Sequence, residues 1–396
     1  MKTIDQGRFD GKKVLVRCDF NVPIDAAGKI TDETRIRESL PTLKALLEQG
    51  AALILMSHLG RPAGTGFEAA YSLAPVAARL KAVLGRPVQF NQDVFTDTTV
   101  QAAAGLKGGD VLLLENLRFT KAETKGDETF ARYLADLGDA YVNDAFGTAH
   151  RAHASTAVIA KFFPTEKYAG KLLAHEVENL EKLLHHAARP FTAVIGGSKV
   201  SSKIDVLQNL IDRVDNMIIG GGMAYTFIKA QGGQIGRSLC EDDKLEVARG
   251  VMAACAKKGV KLYLPKDTVC ADDFNNDANR QCVPTMAIPD GWEGMDIGPE
   301  TRAMFEQVIA GSASVLWNGP LGVFEMPNFQ AGTLQIGKAI GEATKKGAYS
   351  AVGGGDSVAA ANQLGLAKDL SYVSTGGGAM LEYLEGKVLP GVAALD

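Results

Sequence analysis

The chain has 396 residues, 46 % of them hydrophobic and 22 % charged, a balance found in ordinary globular proteins and not in disordered or membrane ones. Its length predicts two or three domains. A net charge of -4 argues against nucleic acid as the main partner, because a backbone binder needs a basic face.

No apolar run approaches the roughly 20 residues needed to span a bilayer, and the opening MKTIDQGRFDGKK lacks the apolar centre of a signal peptide. A cytoplasmic protein without a membrane partner is expected. The five cysteines (Cys18, Cys240, Cys255, Cys270 and Cys282) are odd in number and form no C-x-x-C pair, so reduced thiols are expected, with neither a disulfide framework nor a zinc ribbon.

Along the chain, short aliphatic runs alternate with glycine-rich or polar turns and longer segments of helical period, the pattern of a parallel α/β fold. The first half carries runs at Val14 to Val16, Leu53 to Met56, Val111 to Leu114 and Ala140 to Val142. In the second half they fall at Ala193 to Ile195, Met217 to Ile219, Leu262 to Leu264, Val315 to Trp317, Tyr349 to Val352 and Tyr372 to Val373. Between them KLLAHEVENLEKLLHH places leucines at helical spacing and stops before Pro190. The expected architecture is two doubly wound, Rossmann-like parallel-sheet domains, 1–172 and 190–380, joined by a helix within 173–189. The segment 381–396 is expected to return to the first domain.

Ligands of open parallel sheets gather at the carboxyl ends of strands, so the residues after each run are informative. The first four runs lead into RCDFNVP, SHLGRP, ENLRF and NDAFGTAHR, and Arg35 opens the helix after the first. Arginine grips phosphate or carboxylate bidentately and stays charged. Any one such arginine is commonly a surface ion pair, but cationic or amide groups at four strand ends point to a small polyanion. His150 and His153 lie three apart without other metal ligands at a suitable spacing. His58 and His150 suit either hydrogen-bond donation to phosphate or a neighbouring carboxylate or the role of satisfied loop residues, and Asp19 suits a substrate hydroxyl or an orienting contact to an arginine.

In the second half, Ile195 leads into GGSKVSSK, a phosphate cradle that departs from the G-x-x-x-x-G-K-[ST] pattern. If a helix has begun there, Lys199 and Lys203 lie one turn apart on one side. Glycine triplets at Gly220 to Gly222, Gly353 to Gly355 and Gly376 to Gly378 follow strand runs, suiting close approach of backbone to a flat or anionic ligand. Asp356 after the second triplet is either a helix cap or a Mg²⁺ ligand acting with substrate phosphates. Asn318, Gly319 and Pro320, with Glu325 downstream, are candidates for base and ribose contacts.

Taken together, RCDFNVP, SHLGRP, LENLRF, DAFGTAHRAHAST, GGSKVSSK, GGGMAYTF, WNGPLGVFE, GGGDS and STGGGA resemble the motifs of the phosphoglycerate kinase family, in that family's order and over essentially the whole chain. One departure is that SHLGRP continues as AGTGFEAA, without a lysine frequent after the proline. The resemblance implies reversible Mg²⁺-dependent transfer of the acyl phosphate of 1,3-bisphosphoglycerate to ADP, giving ATP and 3-phosphoglycerate, in line and with domain closure. It implies that Asp19, Phe20, Asn21, Arg35, His58, Leu59, Gly60, Arg61, Arg118 and Arg151 bind the glycerate. Lys199, Lys203, Gly221, Asn318, Glu325, Gly354, Gly355, Asp356 and Ser357 would serve the nucleotide, with Asp356 toward Mg²⁺. Arg35, Lys199 and the turn of Gly376 and Gly377 would steady the transferring phosphoryl group, and a monomer is expected. A dinucleotide-dependent dehydrogenase lacks its G-x-G-x-x-G here, a two-lobed solute-binding protein lacks its export signal, and a protein kinase lacks H-R-D and D-F-G.

Overall fold

The computed structural model describes residues 1–93 and 96–396, which fall into two compact units, Met1–Glu178 with Val388–Asp396, and Asn179–Lys387. Each is built on a six-stranded sheet. In the first, the order is Gln89–Asn91, Val111–Leu114, Ala52–Met56, Lys13–Arg17, Ala140–Asn143, Lys167–Ala169, and every pairing is parallel. Helices on the faces of a parallel sheet leave its strands no wet side, and Val14, Leu15, Val16 and Leu53 to Leu55 are accordingly fully buried. Val14, Val16, Leu53, Leu55 and Val142 share one core with Ile36, Leu43 and Leu46 of the helix Thr34–Glu48.

The second unit's sheet runs Lys261–Tyr263, Asn216–Ile219, Phe191–Ile195, Ser314–Asn318, Tyr349–Val352, Tyr372–Val373, again all parallel. Numbered within the unit this is 3-2-1-4-5-6, the doubly wound order whose reversal between strands 1 and 4 opens a ligand crevice. Here the crevice lies between the loops that follow Ile195 and Asn318. The first sheet reverses between Lys13–Arg17 and Ala140–Asn143, next to the loops beginning at Cys18 and Asp144.

The ten expected runs all become strands of these two sheets, the only slip being Leu264, which lies beyond Lys261–Tyr263. The antiparallel sheet Arg280–Pro284, Asp267–Ala271, Glu293–Ile297 and the small pair Gln234–Ile235 with Ala287–Ile288 were not expected. They form an addition to the second unit anchored by Asp267, whose carboxylate accepts from the N–H groups of Glu300 (3.0 Å) and Thr301 (2.8 Å), in the first turn of the helix Pro299–Ala310.

Two expectations change. The helix after GGSKVSSK starts only at Ile204, so Lys199 and Lys203 sit in the preceding turns and do not share a helix face. The returning segment counted with the first unit begins at Val388, later than Leu381. The helix Gly378–Leu384 stays with the second unit because Ala379, Met380 and Leu384 are buried there and the Leu384 carbonyl accepts from Asn209 Nδ2 at 2.6 Å. The connecting helix is Lys171–His185, and the division between units falls inside it.

Candidate active site

The last residue of the strand Lys13–Arg17 is an arginine with no solvent exposure. Arg17 Nε donates to Ser155 Oγ (2.8 Å), and Nη2 lies 3.2 Å from His58 Nδ1. A guanidinium only donates, so His58 accepts through Nδ1 and carries its proton on Nε2. Burial, followed by repulsion from Arg17, Arg118 and Arg35, holds the imidazole well below its ordinary pKa, hence neutral. The Ser155 hydroxyl donates in turn to buried Glu123 (2.6 Å), which also receives the Ser155 N–H (3.0 Å). The charge of Arg17 is thus balanced through a serine.

The loops of the first unit are stitched to one another around this arginine. Phe20, buried, donates its N–H to Ser57 Oγ (2.8 Å), and Asn21 Oδ1 accepts from the Gly60 N–H (2.8 Å). Arg35 Nη1 donates to Asp19 Oδ1 (3.2 Å) and to the Asn21 carbonyl (3.0 Å). Asp19 therefore orients an arginine, one of the two roles expected of it. Leu59 is held through its carbonyl by Asn116 Nδ2 (2.7 Å), and the Gly60 carbonyl accepts from Arg118 Nη1 (3.0 Å). Partial burial and the nearby Arg17 lower the Arg118 pKa to about 10, and its Nε is buried without a partner. Arg61 and Arg151 are exposed and, among the described residues, make no ion pair.

In the second unit three glycine turns meet backbone to backbone. A Cβ on Gly319 would lie 2.1 Å from the Gly196 carbonyl, and one on Gly221 2.7 Å from backbone atoms of Gly197. Both have positive φ, +107° and +67°, which L side chains rarely adopt. These glycines make room for one another, whereas Gly355 and Gly377 face open space. Buried Asn318 accepts at Oδ1 from the Lys203 ammonium and donates from Nδ2 to the Gly353 carbonyl (2.7 Å), while the Gly319 N–H donates to buried Ser357 Oγ (2.5 Å). Burial lowers the Lys203 pKa, and Asp356 and Glu385 oppose that shift. Gly354, at φ +94°, turns the chain into the helix Gly355–Gln363, whose first turn carries Asp356. Asp356, Lys199 and Glu325 are exposed. Gly376 donates its N–H to Ser374 Oγ (3.0 Å), just before the helix Gly378–Leu384.

Among the described residues no three His, Cys, Asp or Glu side chains are grouped to hold a metal ion, His150 and His153 included. Asp356 is a single exposed carboxylate in the first turn of the helix Gly355–Gln363, and Mg²⁺ is a cation commonly held by one or two carboxylates together with substrate phosphates. Sequence reasoning missed two residues of these surroundings. Arg17 was legible as the one cation directly ending an apolar run. Leu239 was not: it lies far along the chain, yet is 53 % exposed and in contact distance of the Gly222 turn, an apolar surface suited to a flat ring.

A doubly wound sheet edged with guanidinium groups, and a second edged with glycine turns, a lysine and helix N-termini, define an α/β protein built around phosphorylated ligands. The family model described as phosphoglycerate kinase matches residues 4–387. The phosphoglycerate kinase of Synechococcus elongatus is 53 % identical over 388 residues, 98 % of this chain and 96 % of that protein. The chloroplastic phosphoglycerate kinase of Volvox carteri is 54 % identical, covering 99 % of this chain and 85 % of the relative. The solved phosphoglycerate kinase structure of Coxiella burnetii superposes with a TM-score of 0.91 at 42 % identity, covering 99 % of this chain and 98 % of that one. The chain belongs to the phosphoglycerate kinase family and is a kinase enzyme.

Proposed function

We propose that the chain transfers the acyl phosphate of 1,3-bisphosphoglycerate to ADP, reversibly, with the glycerate on the first unit and the nucleotide on the second. The observation that carries this reading is the placement of Arg61, Arg118 and Arg151 in the loops after strands of one sheet, with Arg35 in the first turn of the helix Thr34–Glu48 tied to the first of those loops, while Lys203, Asn318 and Ser357 interlock at the strand ends of the other.

The attacking group, an oxygen of the ADP β-phosphate, is already ionised, and the bond that breaks joins phosphorus to a carboxylate oxygen. No general base or protein nucleophile is needed, so the work is positioning and neutralising charge. Exposed Arg61 and Arg151 are free to take phosphate and carboxylate, whereas Arg35, tethered to Asp19, and Arg118, tethered to the Gly60 carbonyl, are preoriented. Neutral His58 presents an Nε2–H donor without adding a further positive charge. Exposed Lys199 and the turn of Gly376 and Gly377, of which Gly377 faces open space, are assigned to the transferring group. Lys203 is held on Asn318 beside Gly354, Gly355 and Ser357, where nucleotide phosphates would lie, and Gly221 and Glu325 complete the nucleotide loops. Asp356 would hold Mg²⁺ with those phosphates, and the ion would supply neutralisation of phosphoryl charge.

Because the reacting atoms must approach to about 3 to 3.5 Å, the reading includes closure of the units on their ligands, with the helix Lys171–His185 and the returning chain as hinges. It also takes the enzyme as a cytoplasmic monomer, on family resemblance. The test is turnover of ATP and 3-phosphoglycerate by the purified chain, coupled to reduction of the acyl phosphate product, across a magnesium titration. Asp356→Asn should require more magnesium and keep its glycerate affinity; no product from the unmodified chain at any magnesium concentration would refute the assignment.

A further inference from the structure

The mechanism above makes no use of one fully buried carboxylate. Asp144 follows the strand Ala140–Asn143 and begins the loop that ends at Arg151. Its Oδ1 accepts from the N–H groups of Leu172 (3.0 Å) and Leu173 (3.3 Å), the first turn of the connecting helix. Thr42 Oγ1 accepts from the Lys171 N–H at 2.8 Å, at the start of the same helix, and the Thr42 hydroxyl opposes the rise that burial imposes on the Asp144 carboxyl. Thr42 belongs to the helix Thr34–Glu48, which carries Arg35. Gly170, just before the connecting helix, has no room for a Cβ, which would lie 2.1 Å from Asp144 Oδ1.

The neighbouring Asn143 extends this joint. Its Nδ2 donates to the carbonyl of Thr156 (3.2 Å) and to that of Gly391 (3.1 Å) in the returning segment, and Thr156 Oγ1 donates to the Arg151 carbonyl (2.7 Å). Asp144 Oδ2 is buried with no partner, a costly arrangement that an apolar residue would avoid. Burial also raises the carboxyl to about 7.

We propose that Asp144 is a positioning residue for phosphoryl transfer: it ties the helix of Arg35 and the loop of Arg151 to the start of the connecting helix. An occupied glycerate site thereby sets the direction in which that helix leaves the first unit. The inference rests on the glycerate reading above. It makes Asp144 matter to the reaction of two bound substrates and not to the binding of either.

The full-length chain tests it through Asp144→Ala, Asp144→Asn and Thr42→Val. Asp144→Ala should lower kcat about tenfold, while the dissociation constants for 3-phosphoglycerate alone and Mg-ATP alone stay within about twofold. Asp144→Asn keeps an acceptor at Oδ1 and should recover most of the loss; Thr42→Val should shift kcat in the same direction by less. An unchanged kcat in Asp144→Ala, an Asn variant no better than Ala, or equal losses in kcat and glycerate affinity would each overturn the proposal. Should Asp144→Ala not fold, Thr42→Val decides by the same split, and a wild-type kcat in it counts against the proposal. Absence of 3-phosphoglycerate binding to the unmodified chain would instead sink the glycerate reading, a separate outcome.

Discussion

Unlike Arg17, Arg35 and Arg118, Arg61 and Arg151 make no guanidinium hydrogen bond or ion pair among the described residues, and so have no protein partner to satisfy before a ligand arrives. A charge-assisted contact is worth about 1.5 to 3 kcal/mol, so either alanine variant should weaken 3-phosphoglycerate binding by roughly one to two powers of ten. Nucleotide affinity should hold, and calorimetry showing both ligands weakened alike would mean a damaged fold. His153 offers a pH test. Burial, then Arg118, Arg17, Arg151 and His150, lower its pKa from 6.5 to about 4. The folded state therefore takes up this proton less readily than the unfolded one. The stability associated with neutral His153 is complete above pH 6.5 and drains away as pH falls toward 4. Asp144 and Asp296, both raised to about 7 by burial, act with the opposite sign and lose stability as pH rises toward that value. Comparing melting curves of the unmodified chain with those of His153→Gln isolates the histidine: the gap should narrow in the variant's favour between those two values, and parallel curves would reject the assignment.

At the scale of elements, the glycine turns of the second unit divide by what surrounds them. Gly319 combines φ +107° with a Cβ position 2.1 Å from the Gly196 carbonyl, whereas Gly355 begins a helix and has nothing within 4 Å. Gly319→Ala should destabilise the fold by at least about 2 kcal/mol, measured by urea unfolding. Gly355→Ala should leave stability equal or higher by up to about 1 kcal/mol and yet weaken Mg-ATP binding, since its open face is where phosphate would approach. Undiminished nucleotide affinity in that variant would remove Gly355 from the site.

For the whole molecule, the ligands are assigned to two separate compact units, and in-line transfer needs them together. Small-angle scattering should show the radius of gyration falling more with 3-phosphoglycerate and a non-hydrolysable Mg-ATP analogue together than with either alone. Identical radii for the free and doubly occupied protein would refute closure.

The sequence by itself determined the ten principal strands, because strands buried on both faces must be written as short aliphatic runs, and it determined the strand-end motifs, which are contiguous. Asp19, Asn21, Arg35, His58 and Arg118 are brought into one bonded set and Lys203, Asn318 and Ser357 into another, as residues at neighbouring strand ends must be in parallel sheets. The tertiary structure alone decided the rest. The half-exposed strand Arg280–Pro284 carries no aliphatic run, so its sheet went unseen. The start of the helix at Ile204, beyond both lysines, was set by packing of the Gly196 to Val200 turn against Gly220 to Gly222 and Pro320, contacts spread over more than a hundred residues of chain. Leu239 beside Gly222, and Asp144 beneath the connecting helix, owe their meaning to neighbours distant in sequence, and burial of a carboxylate is a property of the fold and not of the residue.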